Sequence, residues 1–445
     1  MTNHTPQSVD SLHAALTLEA MRLGVVPPSD LEQSTVGRDV EIDVVRRDLE
    51  QATVSGARRA FLGDYGLGKS HMLELIEQIA LKQNFLVSKV TLDHAELSPS
   101  QPKRIYHAVL RNLIYPDRPK SLDGIAPLLE KAANCEEVLK KFATKSDKPM
   151  PRSVREQLAM GLHLYLSPAI AYTRALADEE HLRLPAHVGD KHAWIQTARH
   201  MLIDWIEGHP TQSNQDINDE LNLIHGRFPK IYSLLDYRPW AKIYAYIING
   251  ISQLAKDVGY AGLVVVLDEA EFYSLLSSQN RMFAKSLFQA WSHAVCAEGE
   301  GDLPCSSDEL LTGGYGIQRE LPTRYSDTPG LYLVFAMTPN TDGIRVLQDA
   351  LAPQYICFLN QLTAPDYLQM TAHLVDLYRH AYPSAVIPDG IEAPLSDVVN
   401  ALTQQGQLAN PRQTMKFLTE FLDLVRFEPQ KLPEVIENLM FDSDF

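Results

Sequence analysis

Cysteine is scarce in this chain: Cys135, Cys296, Cys305 and Cys357 are the only four in 445 residues. They are scattered and share no metal-ligand or redox spacing, so the sequence encodes neither a zinc site nor a disulfide framework. Free thiols suit a reducing compartment. No apolar run reaches the roughly eighteen residues that a membrane-spanning helix needs. Residues 1–10 are polar and lack the basic-then-apolar layout of a signal peptide. A cytoplasmic protein with no membrane partner is the expectation. Positive charge is also short: 40 Lys and Arg stand against 56 Asp and Glu, a net charge of -16. That balance disfavours a broadly basic nucleic-acid surface and leaves room only for a local patch. His181, His187, His192 and His200 lie close in sequence without a zinc spacing, and read as surface or capping histidines. The kinase pattern His-Arg-Asp is missing, which argues against a kinase.

What the chain does have is the stretch Phe61-Leu-Gly-Asp-Tyr-Gly-Leu-Gly-Lys-Ser-His71. It fits the phosphate-loop pattern G-x-x-x-x-G-K-[ST]. Glycines at 63, 66 and 68 let the backbone turn its N–H groups inward around phosphate oxygens. Lys69 supplies a point charge to the β- and γ-phosphates, and the Ser70 hydroxyl suits Mg²⁺. The helix beginning near Ser70 aims its positive end at the same anion. Context supports the match. Arg59 to Leu62 reads as a strand, and Met72, Leu73, Leu75, Ile76, Ile79 and Ala80 recur at helical spacing. Gly63, Asp64, Tyr65, Gly66, Leu67, Gly68, Lys69, Ser70 and His71 are therefore the candidate nucleotide contacts.

Upstream, Ser11 to Arg22 is an amphipathic helix that ends at Gly24, and Pro27-Pro28 stops its continuation. Asp39 is placed to cap a helix running to about Thr53. Gly37-Arg38 precedes the phosphate loop by about 25 residues. A segment so placed wraps the adenine in AAA+ ATPases; a plain helix-opening turn is the other reading.

Downstream, Phe85 to Leu92 reads as a second strand. A helical region follows to about Gly259, with amphipathic segments at Val154–Leu166, His192–Ile206 and Ile243–Ala255. It is too long for a crossover and reads as an insertion into the core. Lys140, Lys141, Lys145, Lys148, Arg152 and Arg155 surround Pro149 and Pro151. They read as a solvated linker more readily than a phosphate-backbone contact, since no aromatics interleave.

Gly262-Leu-Val-Val-Val-Leu-Asp-Glu269 is the second strong signal. Such a run suits a strand buried on both faces. Its C-terminal end is where open parallel sheets bind ligands. Asp268 suits Mg²⁺ in the Walker-B role, and Glu269 suits the general base that polarises the attacking water. Glu271 is a spare carboxylate. A helix over Arg281–Val295 and a polar loop to Gly330 lead to a strand at Leu331–Ala336. Thr338 then stands where AAA+ ATPases keep a polar γ-phosphate sensor, or simply caps before Pro339. Ile356–Leu359 reads as a fifth core strand. Asn410-Pro-Arg412 opens a helix in the helical C-terminal region, and Arg412 projects from its first turn, where AAA+ lids present a second sensor.

These segments make an α/β, P-loop NTPase (AAA+-like) chain with a parallel sheet core, a large helical insertion and a C-terminal helical lid. The implied domains are an N-terminal helical segment (1–34), an ATPase core (35–100 and 260–362), the insertion (101–259) and the lid (363–445). A closer resemblance rests on Arg22-Leu-Gly-Val-Val-Pro27, Thr35-Val-Gly-Arg38, the loop Gly63 to His71, Val87-Ser-Lys-Val-Thr-Leu-Asp93, Leu267-Asp-Glu-Ala-Glu271 and Ala336-Met-Thr-Pro339. Together they resemble the ATP-binding proteins of BREX bacteriophage-exclusion operons, an AAA+/STAND-like group of P-loop ATPases. The resemblance implies an ATP- and Mg²⁺-dependent ATPase of phage defence. It would work beside a methyltransferase, a helicase or other operon proteins, with duplex DNA and a homo-oligomer as further expected partners. The chain departs from that pattern in two places. None of Arg281, Arg324 and Arg345 has the motif support of an arginine finger. The stretch beyond Arg412 is also too short for the winged-helix domain with which origin-recognition relatives hold DNA. A hydrolysing motor or switch is the first reading; a nucleotide-dependent scaffold with little turnover and a DNA-remodelling motor are the alternatives.

Overall fold

Strand formers gather in short apolar runs, and each run becomes a strand of one sheet. A computed structural model describes residues 9–26, 31–119, 122–142, 153–185, 188–209, 214–225, 228–295, 303–311, 316–408 and 410–441. Cys296, His187, Lys145, Lys148, Arg152 and the prolines at 27, 28, 149 and 151 lie outside the described residues.

The strands are β1 (Ala57–Leu62), β2 (Phe85–Thr91), β3 (Leu113–Ile114), β4 (Gly262–Asp268), β5 (Leu331–Met337) and β6 (Ile356–Phe358). Their order across the sheet is β3-β2-β4-β5-β1-β6. β2 and β4, β4 and β5, and β5 and β1 run parallel. The two-residue β3 is antiparallel to β2; it is too short to leave a pattern in the sequence. Every residue of β5 is buried, as is all of β4 except Asp268, the burial that parallel strands covered on both faces require.

The helices that bear on function are α1 (Val9–Arg22), α2 (Asp39–Ser55), α3 (Lys69–Lys82), α4 (Pro102–Arg111), α5 (Leu166–Ala177), α6 (Lys191–Ile206), α7 (Ala241–Asp257), α8 (Ser278–Val295), α9 (Thr341–Gln348), α10 (Ala364–Ala381), α11 (Glu392–Gln404) and α12 (Pro411–Phe427). Asp39 is the first helical residue of α2 rather than the residue before it. The segment expected to run as one helix from Val154 to Leu166 stops at Ala159. Gly161, at φ +75°, turns the chain, and α5 starts at Leu166. Among the described residues no helix is long and apolar enough to cross a membrane.

The chain divides into two compact units, one of residues 1–45, 63–79 and 358–445, the other of 46–62 and 80–357. The first is built on helices. Ala14 and Leu18 of α1 share a core with Tyr378 of α10, Val399 of α11 and Leu422 of α12. The second holds the sheet. Tyr106, Trp205 and Tyr244, from the region read as an insertion, belong to the same continuous core as Leu86 and Leu263 of the strands.

β1 carries two arginines into this interior. Arg59 donates to both oxygens of Asp48, at 2.7 and 2.5 Å, and Tyr332 Oη donates to the same carboxylate at 3.0 Å. Arg58 lies 4.7 Å from the centroid of the Tyr355 ring. Paired in this way the arginines can be strand residues, and β1 starts at Ala57, two residues before the expected Arg59.

Candidate functional site

The candidate residues fall in both units. In the first, the phosphate loop adopts the backbone its pattern requires. Gly66 and Gly68 sit at φ +86° and +95°, a region that side-chain-bearing residues rarely enter. Leu67 N–H donates to the Asp64 carbonyl at 3.2 Å. α3 then begins at Lys69, so the loop leads directly into the positive end of a helix, the end that favours an anion. Lys69 Nζ donates to the Gly63 carbonyl at 2.8 Å, which folds the side chain back over the loop.

The Thr35–Arg38 segment fastens this loop at two points. Arg38, only 6% exposed, donates to the Leu67 carbonyl at 2.8 Å and meets Glu41 at 3.3 Å. His71 Nε2 lies 2.7 Å from Thr35 Oγ1. Burial, with Arg38 adding to it, pulls the His71 imidazole down to about 4. Gly37, at φ +66°, lies against Leu362 and Asp366. The interactions seen for Arg38 thus go to the loop backbone and to Glu41, which makes it a buttress of the loop.

Helix α12 meets the tip of the same loop. Its N-cap, Asn410, accepts from Gln413 N–H at 3.1 Å and lies against Gly66, where a Cβ would stand 2.4 Å from Asn410 Cγ. Arg412 Nη1 donates to Tyr65 Oη at 2.6 Å, and its guanidinium carbon is 4.9 Å from the Tyr65 ring centroid.

In the second unit, Asp268 ends β4 opposite Thr91 of β2. Its Oδ1 accepts the Glu269 N–H at 2.8 Å. Glu269 sits in the left-handed region, φ +59° and ψ +35°, a costly conformation for a side-chain-bearing residue. Pattern reading identified Glu269 but carried no sign of this strain. β5 runs between β4 and β1, with Leu62 opposite Met337. Thr338 therefore follows a strand that lies between the acidic pair's strand and the one leading into the loop. Glu271, read as a spare carboxylate, has Oε2 buried with no hydrogen-bond partner among the described residues. Arg281 is held by Asp342 at 2.7 Å and by the Leu276 and Ser274 carbonyls. Arg324 donates to the His293 carbonyl at 3.1 Å. Arg345 is exposed.

The donors expected to serve Mg²⁺, the Ser70 hydroxyl and the Asp268 carboxylate, are hard oxygens of the kind this ion takes alongside phosphate oxygens. The structure seats one at the first turn of α3 and the other at a strand end.

Comparison with known proteins gives a family of ATP-binding proteins. The family model of the BREX system ATP-binding protein BrxC/D matches residues 10–291, from α1 into α8. Thr338 and Arg412 lie beyond it. No curated protein matches the chain. Since the match spans more than half of its length, the chain belongs to the family of BREX system ATP-binding proteins BrxC/D.

Proposed function

We propose that the protein binds ATP with Mg²⁺ and hydrolyses it, acting as a switch or motor within a BREX system. The observation that carries this reading is the loop itself: two glycines in the left-handed region followed at once by a helix that opens on Lys69. Lys69 and the loop N–H groups would hold the β- and γ-phosphates. Ser70 and Asp268 would hold the metal, which supplies charge neutralisation at the phosphates. Glu269 is the general base for water, and Thr338 and Arg412 report the γ-phosphate to the lid. Gly37 and Arg38 keep the loop in shape. The work is done in the cytoplasm, with other defence-operon proteins such as a methyltransferase or helicase, or with duplex DNA.

The test is steady-state ATP turnover by wild type, Lys69→Ala and Glu269→Gln, with and without Mg²⁺ and duplex DNA. Lys69→Ala should lose binding. Glu269→Gln should bind ATP normally while turnover falls by about two orders of magnitude or more. Normal turnover in Glu269→Gln would remove it from the base role.

One observation favours a second reading, a nucleotide-dependent scaffold with little turnover. Arg281 and Arg324 are both engaged by neighbours within their own unit. Purification with nucleotide still bound, and negligible wild-type hydrolysis at every protein concentration, would select the scaffold.

A further inference from the structure

We propose that Tyr65 and Gly24 are positioning residues, which hold the Arg412 guanidinium at the tip of the phosphate loop so that α12 responds to the nucleotide bound there. The proposal rests on the ATP-binding reading above.

Three observations converge on Arg412. Its guanidinium is engaged twice by Tyr65, through the 2.6 Å hydrogen bond to Oη and through the ring. Its aliphatic stem lies on the backbone of Gly24, where a Cβ would stand 3.1 Å from both Cγ and Cδ. Gly24 is itself at φ +68°, so a larger residue there is both strained and obstructive. Finally, the turn that carries Gly24 is tied to α12. Arg22 pairs with Asp423 and, at 3.2 Å, with Glu19, and Asp423 also accepts from Tyr378 Oη at 2.7 Å.

The Arg22–Pro27 motif singled out in the sequence gains a purpose from this arrangement. Arg22 anchors the end of α1 to α12, and Gly24 leaves room for the arginine about three turns earlier on that helix. A free arginine side chain loses up to about 2 kcal/mol of rotamer freedom when it is fixed. Tyr65 and Gly24 meet that cost before any ligand arrives, which is how preorganisation raises affinity. Tyr65 is otherwise hard to explain: it is a large apolar ring left 74% exposed on a loop whose phosphate chemistry needs no side chain at that position.

A double-mutant cycle on the full chain tests this, read by equilibrium binding of fluorescent mant-ATP and mant-ADP with Mg²⁺. Tyr65→Ala and Arg412→Ala should each weaken mant-ATP by about tenfold, with a smaller effect on mant-ADP. The double variant should be no weaker than Arg412→Ala alone. Tyr65→Phe keeps the ring and loses the acceptor, and should fall between wild type and Tyr65→Ala. Gly24→Ala should weaken mant-ATP in wild type and have no effect once Arg412 is alanine. Additive losses, equal losses for mant-ATP and mant-ADP, or a silent Arg412→Ala would overturn the proposal and leave ATP binding standing. A wild-type chain that binds neither probe would instead overturn the nucleotide reading itself.

Discussion

Thr35 Oγ1 donates its only proton to the Leu31 carbonyl, at 2.5 Å, and therefore receives one from His71 Nε2, 2.7 Å away. The imidazole is thus the Nε2–H tautomer and acts as a donor. Thr35→Val keeps the shape and deletes the acceptor, leaving a half-buried N–H unpaired. Loss of about 1–3 kcal/mol of stability is expected, and urea unfolding measures it. An unchanged midpoint and slope would mean that the bond does not hold the loop.

Asp48 is the counter-charge for a strand. With Arg59 donating twice and Tyr332 once, its removal leaves a half-buried guanidinium with the Gln354 carbonyl and the Tyr355 ring but no counter-charge from Asp48. Asp48→Ala should cost about 1–3 kcal/mol. Asp48→Ala combined with Arg59→Met should recover much of that loss, read by thermal melting. A double variant as unstable as the single one would refute this account of β1.

His163 gives the fold a defined acid sensitivity. It is fully buried, and its Nδ1 accepts the Tyr165 and Leu166 N–H groups at 3.2 and 3.0 Å, at the start of α5. The ring stacks on Tyr246 at 4.3 Å. Burial pulls its pKa from 6.5 down to about 3. A base with a depressed folded pKa contributes its full stability above the unfolded value and loses it as pH falls from about 6.5 toward about 3. Between about pH 7.5 and pH 5 this amounts to about 2 kcal/mol. His163→Asn keeps an acceptor for the same N–H groups and does not titrate. It should be less stable at neutral pH but show a shallower decline on acidification. Parallel stability-against-pH curves for the two proteins would contradict this.

Of the three arginines considered for a role in a neighbouring copy's reaction, Arg345 is the exposed one, and Arg281 and Arg324 are engaged locally. If chains act in pairs or rings, turnover per molecule should rise with wild-type concentration. Arg345→Ala should bind mant-ATP normally in dilute solution and lose that rise. Identical concentration dependence in both proteins would dismiss Arg345.

The parts of this molecule legible in its sequence are those written in consecutive residues. Lys69 and Ser70 follow from a fixed spacing, and β4 and β5 from unbroken apolar runs. The turn at Gly161 was also within reach, since a glycine marked the place where the expected helix breaks. Other features rest on partners far apart in the chain. Asp48 neutralises Arg59 from the preceding helix, Thr35 receives from His71, and Arg412 reaches Tyr65 across most of the sequence. Such pairs share no periodicity, so neither member announces the other. β3 failed for a different reason, because two residues cannot show alternation.

The left-handed backbone at Glu269 sets sturdiness against the proposed chemistry at one position. A residue in that region costs about 1–3 kcal/mol unless it is glycine, so Glu269→Gly should be more stable than the natural protein, by up to about 2 kcal/mol after glycine's own entropic penalty of about 0.5–1 kcal/mol, and thermal melting reads it. The same exchange removes the carboxylate that sits beside Asp268. A chain chosen only for endurance to heat would discard this glutamate; if Glu269 is the base proposed above, a chain chosen for turnover keeps it together with its strain.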